Sequence, residues 1–162
     1  MTWKCLMFKN KARAKAIFTM WLHFHDRMHT SDRLDKWGIA VDTTCILCKL
    51  LLETRNHLFA ECSFTKRVWD RLLLWMQRQS HKATTWDQHF RWTLHNAKGK
   101  SQEAAVFKMV YAEVVHEIWT ERNLRIFEKK RRSVEAIARF ITCTCHIRAT
   151  TATGNVIQRL KF

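Results

Sequence analysis

The sequence has no proline and only three glycines in 162 residues. An all-β fold turns often and draws on both residue types, so their scarcity points to long unbroken helices. Acidic residues are also few, with 14 Asp and Glu against 29 Lys and Arg, a net charge of +15. Metal-dependent polymerases and nucleases cluster carboxylates around divalent ions. Here the acids are scattered and no Asp-Asp pair occurs. There is no Gly-rich phosphate loop and no Gly-x-Ser-x-Gly elbow. These absences argue against an enzyme and against a small-molecule substrate. No apolar run reaches the ~20 residues of a spanning helix, and no secretory signal is evident, so a membrane partner is disfavoured.

What is present fits a folded, basic, mainly α protein. A hydrophobic share of 47%, with eight Trp and ten Phe, supplies a sizeable core. The charge excess points to a polyanion, RNA or DNA, as partner. Six cysteines include one ordered set: Cys45, Cys48, His57 and Cys62, that is Cys-x2-Cys, eight residues, His, four residues, Cys. Cys45 and Cys48 alone would also suit a redox pair. The ordered return of His57 and Cys62 favours a closed four-ligand metal site, with zinc as the expected ion. A site with all four positions filled by protein leaves none for water or substrate. Cys143 and Cys145 are too close together to share a metal and read as buried thiols in a reducing compartment.

Along the chain, residues 1–29 are basic and amphipathic, as a mitochondrial transit peptide would be. The spacing of Ile17, Trp21, Phe24 and Met28 favours a core helix instead. Thr30, Ser31 and Asp32 offer caps for a short helix ending at Gly38, with Ile39 folding back onto Leu34. After the metal loop, Ser63 is expected to cap a helix to about Gln79, buried through Phe64, Val68, Trp69, Leu72, Leu73 and Met76. Leu50, Leu51 and Leu52 are expected to pack on a neighbouring helix or else to form a partner surface. Thr85 is expected to start a helix carrying Trp86, Phe90 and Leu94. The longest helix is expected from Gln102 to about Lys130, followed by one capped by Ser133. The expected organisation is a zinc-stapled helical domain over 1–79, a linker with a short helix over 80–101, a helical hairpin over 102–149 and a loose tail over 150–162. Candidate phosphate contacts are Lys9, Lys11, Arg13 and Lys15 near the start, and Lys129, Lys130, Arg131 and Arg132 near the end.

Several stretches together resemble a known family, the zinc-binding domain at the C-terminus of plant LINE-type (non-LTR) reverse transcriptases. They include Phe18 to Leu22, Arg27 to Leu34, Gly38-Ile39, Cys45 to Cys48, Glu53-Thr54, His57 to Phe59, Cys62 to Phe64, Val68-Trp69 and Ile118 to Phe127. The resemblance implies that Cys45, Cys48, His57 and Cys62 are the zinc ligands, and that the module follows a polymerase and helps engage element RNA or target DNA. Lys11 to Lys15 stands where the family usually has prolines, and no polymerase or endonuclease is present. The chain is therefore expected to be a retroelement fragment that binds nucleic acid in the nucleus or cytoplasm. The alternative is a co-opted factor that binds a host protein, at a mitochondrion if the N-terminus targets it there, to the detriment of the host cell.

Overall fold

In the computed structural model, residues 3–162 are described, apart from the side chains of residues 151 and 152. Eight α-helices follow in order: α1 (Lys4–Met7), α2 (Ala14–Phe24), α3 (Ser31–Lys36), α4 (Ser63–Trp75), α5 (Trp86–Ala97), α6 (Gln102–Asn123), α7 (Val134–Arg148) and α8 (Thr151–Arg159). Two π-helical turns, His57–Glu61 and Leu124–Glu128, interrupt the regular pattern. Among the described residues there is no β-strand, only an isolated antiparallel bridge between Thr44 and Leu52. No described helix is long and apolar enough to cross a membrane.

Helix α6 is the axis of the molecule, and α2, α5, α7 and α8 all pack on it. Its apolar residues do not form one stripe: Phe107, Tyr111, Val114 and Ile118 line one face, Val106, Met109, Ala112 and Val115 lie round the others, and all are buried. A helix apolar over most of its circumference has to lie inside. Glu113, Glu117 and Glu121 recur at four-residue steps on this interior helix and are buried as well. Buried carboxylates are costly unless paired, and each of these meets arginine. Arg13 reaches Glu113 and, at 2.8 Å, Glu117. Arg132 bonds Glu117 at 2.8 Å and Glu121 at 3.0 Å, and Arg125 bonds Glu121 at 2.7 Å. Burial pushes the Glu121 carboxyl up, but the bonds from Arg125 and Arg132 outweigh it and hold its pKa below the usual range.

The start of the chain is anchored on α6 too. The Asn10 amide donates to the Lys108 carbonyl at 2.8 Å, and the Arg13 backbone N–H to Glu113 at 2.9 Å. Ala16 and Met20 then face the core. Helix α3 ends as its sequence indicates. Gly38 adopts φ +78°, and the N–H groups of Gly38 and Ile39 bond the carbonyls of Asp35 and Leu34 at 2.9 and 3.0 Å. The six expected stripe residues of α4 are all buried, joined by Thr65 and Trp75.

Four expectations change. The segment 150–162 is not a loose tail: α8 starts with a reciprocal cap between Thr150 and Thr153, and Ile157 and Leu160 reach the core. The expected linker over 80–101 does not separate two cores, since one core cluster runs from Leu6 to Leu160. The buried face of α5 is His89, Thr93 and Ala97, while Trp86, Phe90 and Leu94 are only half-buried, because α5 sits at the edge of the core. The long helix gives way to the π-turn after Asn123, and Lys129 closes it in the left-handed conformation at φ +57°.

Candidate metal centre

The metal loop is a small closed hairpin. The Cys45 N–H bonds the Leu51 carbonyl at 2.7 Å, and the Glu53 N–H bonds the Thr43 carbonyl at 2.8 Å. At its tip the Lys49 N–H returns to the Cys45 carbonyl at 2.8 Å, with Lys49 at φ +61°. This turn brings Cys45 and Cys48 to one side. His57 lies at the start of the first π-turn and Cys62 just after it. Five residues apart on a regular α-helix, they would face directions about 140° apart. The wider turn, closed by the Cys62 N–H on the His57 carbonyl at 2.7 Å, brings them round to the same side. Cys62 then caps α4 in place of the expected Ser63.

The four ligand atoms lie within 4.8 Å of one another, and no second such group of His, Cys, Asp and Glu occurs among the described residues. Cys45 Sγ and Cys62 Sγ are 3.9 Å apart, and Cys48 Sγ is 3.3 Å from His57 Nε2. A tetrahedral ion with bonds of about 2.3 Å to sulfur and 2.0–2.1 Å to nitrogen gives edges of about 3.6–3.8 Å, so the donor set fits. Cys45, His57 and Cys62 are buried and Cys48 half-buried. The two buried thiols are hydrogen-bonded to each other. The bond to Cys62 and burial push the Cys45 thiol well up, whereas the Cys45 bond and the backbone N–H groups of Thr65 and Phe64 hold Cys62 below its usual value. Burial keeps His57 neutral by lowering its pKa, which leaves Nε2 free as a donor. Its other ring nitrogen, Nδ1, is buried without a hydrogen-bond partner among the described residues.

Behind the hairpin lies a buried group whose members the sequence did not bring together. Glu53 is fully buried and receives Arg122 Nη2 at 2.8 Å and Arg122 Nε at 3.1 Å. The same carboxylate accepts the Ser31 backbone N–H at 2.9 Å and its hydroxyl at 3.0 Å, so it caps α3 from a distant part of the chain. The side chain of Thr30 does not cap the helix but donates to Asp32 at 2.6 Å. Arg125 bonds the Leu47 carbonyl at 3.2 Å, a second strap between the metal turn and the end of α6. Ser31, Glu53 and Arg122 all lie in the stretches that carry the family resemblance, but nothing in the sequence pairs them.

The expected nucleic-acid residues divide. Lys9, Lys11, Lys15, Lys129 and Arg131 are exposed, and Lys130 pairs with the exposed Glu128 at 2.9 Å. Arg13 and Arg132 are counter-ions of the α6 carboxylates, which leaves them less free for phosphate than the exposed cations. The favoured packing of Leu50, Leu51 and Leu52 on a helix is corrected: they are 76%, 59% and 52% exposed. Leu47, earlier in the turn, is the leucine that reaches the core.

Comparison with known proteins bears on the first part of the chain. No curated protein and no solved structure matches it. Residues 1–69 match the family model described as zinc-binding in reverse transcriptase, an interval that contains all four clustered ligands. Residues 1–69 thus carry a zinc-binding domain of the reverse-transcriptase type.

Proposed function

We propose that this chain is a non-catalytic module in which Cys45, Cys48, His57 and Cys62 hold zinc, and whose basic surface binds RNA or DNA. The ion supplies a cross-link between the hairpin and the start of α4, with no open position for chemistry. The observation that carries the nucleic-acid reading is how the cations are divided. The buried acids are taken up by arginines, and among the described lysines only Lys36 and Lys130 enter an ion pair. The lysine charge is left to solvent, where it can replace the counter-ions of a phosphate backbone. Gel-shift titrations with single-stranded RNA and duplex DNA test this. The complex should weaken steeply with added salt, and a salt-insensitive complex, or none, ends the reading. Metal content of the purified chain, measured by mass spectrometry, tests the zinc assignment.

A retroelement origin accords with the family match. The anchoring of Asn10 and Arg13 on α6 supports residues 4–24 as part of the fold rather than a transit peptide. It therefore supports a nuclear or cytoplasmic site of action.

One observation favours a second reading, a protein partner. Leu50, Leu51 and Leu52 stand exposed on the hairpin, and Trp37, Ile39 and Phe127 are exposed as well. Uncovered apolar side chains of this size mark interaction surfaces when they are contiguous. Changing all three leucines to Ser should abolish capture of a host protein and leave RNA binding intact if this reading holds.

A further inference from the structure

A shallow cleft of about 640 Å³ opens where the metal turn, the start of α4 and the start of α7 meet. Its floor is apolar, with Leu47 from the metal turn, Phe64 from α4 and Val134 from α7. Four arginines surround it, Arg67, Arg125, Arg131 and Arg132, and they are not equivalent. Arg125 and Arg132 are neutralised from beneath by Glu121, and Arg132 also by Glu117. Arg67 and Arg131 are exposed and enter no ion pair among the described residues. The one carboxylate on the rim, Glu135, is engaged by Arg71 at 2.9 Å and Arg139 at 3.4 Å.

The cleft therefore carries two uncompensated guanidinium groups beside apolar walls. Arg67 and Arg125 also lie over the same ring, 5.8 and 4.5 Å from the Phe64 centroid, which limits their freedom. The planar fork of a guanidinium matches phosphate oxygens in pairs, and less is lost in ordering it than a lysine. A small metabolite needs deeper enclosure than this, whereas an extended strand laid across an open cleft needs only its backbone held.

We propose that this cleft seats a backbone phosphate of single-stranded nucleic acid, gripped by Arg67 and Arg131 next to the metal turn. The inference rests on the nucleic-acid reading above and narrows it to one place. A phosphate contact reads no bases, so its loss weakens all strands alike.

The test is fluorescence anisotropy of a short labelled oligouridylate with the full, zinc-loaded chain over a salt series. Arg67→Gln with Arg131→Gln should weaken binding about tenfold at low salt and flatten the logarithmic salt dependence by about 1. Both side chains are exposed, so the thermal midpoint should stay in place. A second measurement needs no variant: the Arg67 and Arg131 Nε–H resonances of the unmodified chain should shift as oligouridylate is added. If the arginine variant binds as before while Lys9→Gln, Lys11→Gln and Lys15→Gln together lose binding, the cleft is overturned and the nucleic-acid reading stands. If the unmodified chain shows no salt-sensitive binding, both are overturned.

Discussion

The metal hairpin and the carboxylate stripe of α6 do the same mechanical job by different means. Each is a buried polar clamp that joins segments of chain. The hairpin clamp takes its four donors from 18 consecutive residues, 45–62; its tip, Leu50, Leu51 and Leu52, faces solvent, and Leu47, Leu58 and Phe59 tie the stretch to the core. The α6 clamp joins partners about 100 residues apart in sequence, such as Arg13 with Glu113, inside a core that already includes Phe107, Tyr111 and Ile118. A clamp at the edge of the core, with an exposed tip, depends most on its ion. A clamp within a core depends on every charge keeping its partner.

That difference can be broken open by experiment. The largest effect should follow removal of the metal, by a chelator or by Cys48→Ser. Zinc binding in small modules is worth on the order of 10 kcal/mol, so amide exchange over the hairpin, residues 43–53, should become fast. Because Phe64, Trp69 and Leu72 belong to the main core, α6 and α7 should keep their protection. Loss of all protection at once would show that the two regions are one cooperative unit.

A smaller loss is expected from Arg122→Ala, which strands the buried Glu53 carboxylate. Breaking one side of a buried pair costs about 3–5 kcal/mol, read as a fall in the urea midpoint. Arg122→Ala combined with Glu53→Gln should recover part of it. If the single variant matches the parent, the strap between α6 and the hairpin contributes nothing.

Acid sensitivity should come next, and it belongs to the helical body rather than the hairpin alone. Burial holds His89 down to about 3 and His81 down to about 4, with His23 also well below its usual value. His81 Nε2 and His89 Nδ1 lie 2.7 Å apart, His81 stacks on Trp92, and His23 sits among Phe24, Phe59 and Trp86 with neither ring nitrogen bonded. These rings stay neutral in the folded chain but take up protons below pH 6.5 or so once unfolded. Stability should therefore be full above that pH and fall progressively as pH drops from about 6.5 toward 3, by a few kcal/mol on the order of one pair's shift. His89→Asn should flatten that decline in melts of the metal-loaded chain. An unchanged slope would place the acid sensitivity at the metal site.

The smallest effect should come from Cys143→Ser. The expected buried thiol there is exposed, and only Cys145 is buried. The change should move stability by less than about 0.5 kcal/mol, whereas Cys48→Ser acts on a ligand.

Legibility in the sequence follows the range of each interaction. The α4 stripe, the Gly38 helix end and the Ser133 cap could be read because each is decided within a few residues by helical period or backbone freedom. The α5 face could not, since helix propensity is silent on which side meets a neighbour. Helix α8 was missed because its polar Thr150–Thr153 cap and spaced Ile157 and Leu160 resemble an ordinary terminus.

The sequence by itself determined the helical class and the four residues that cluster as candidate metal donors, because helical period and ligand spacing are local and survive without a fold. Only the tertiary structure decided which charges face outward. Arg13 and Arg132 look no different from Arg67 and Arg131 as letters. Packing buries Glu113, Glu117 and Glu121 on α6, and a buried carboxylate must take the nearest guanidinium as its counter-ion.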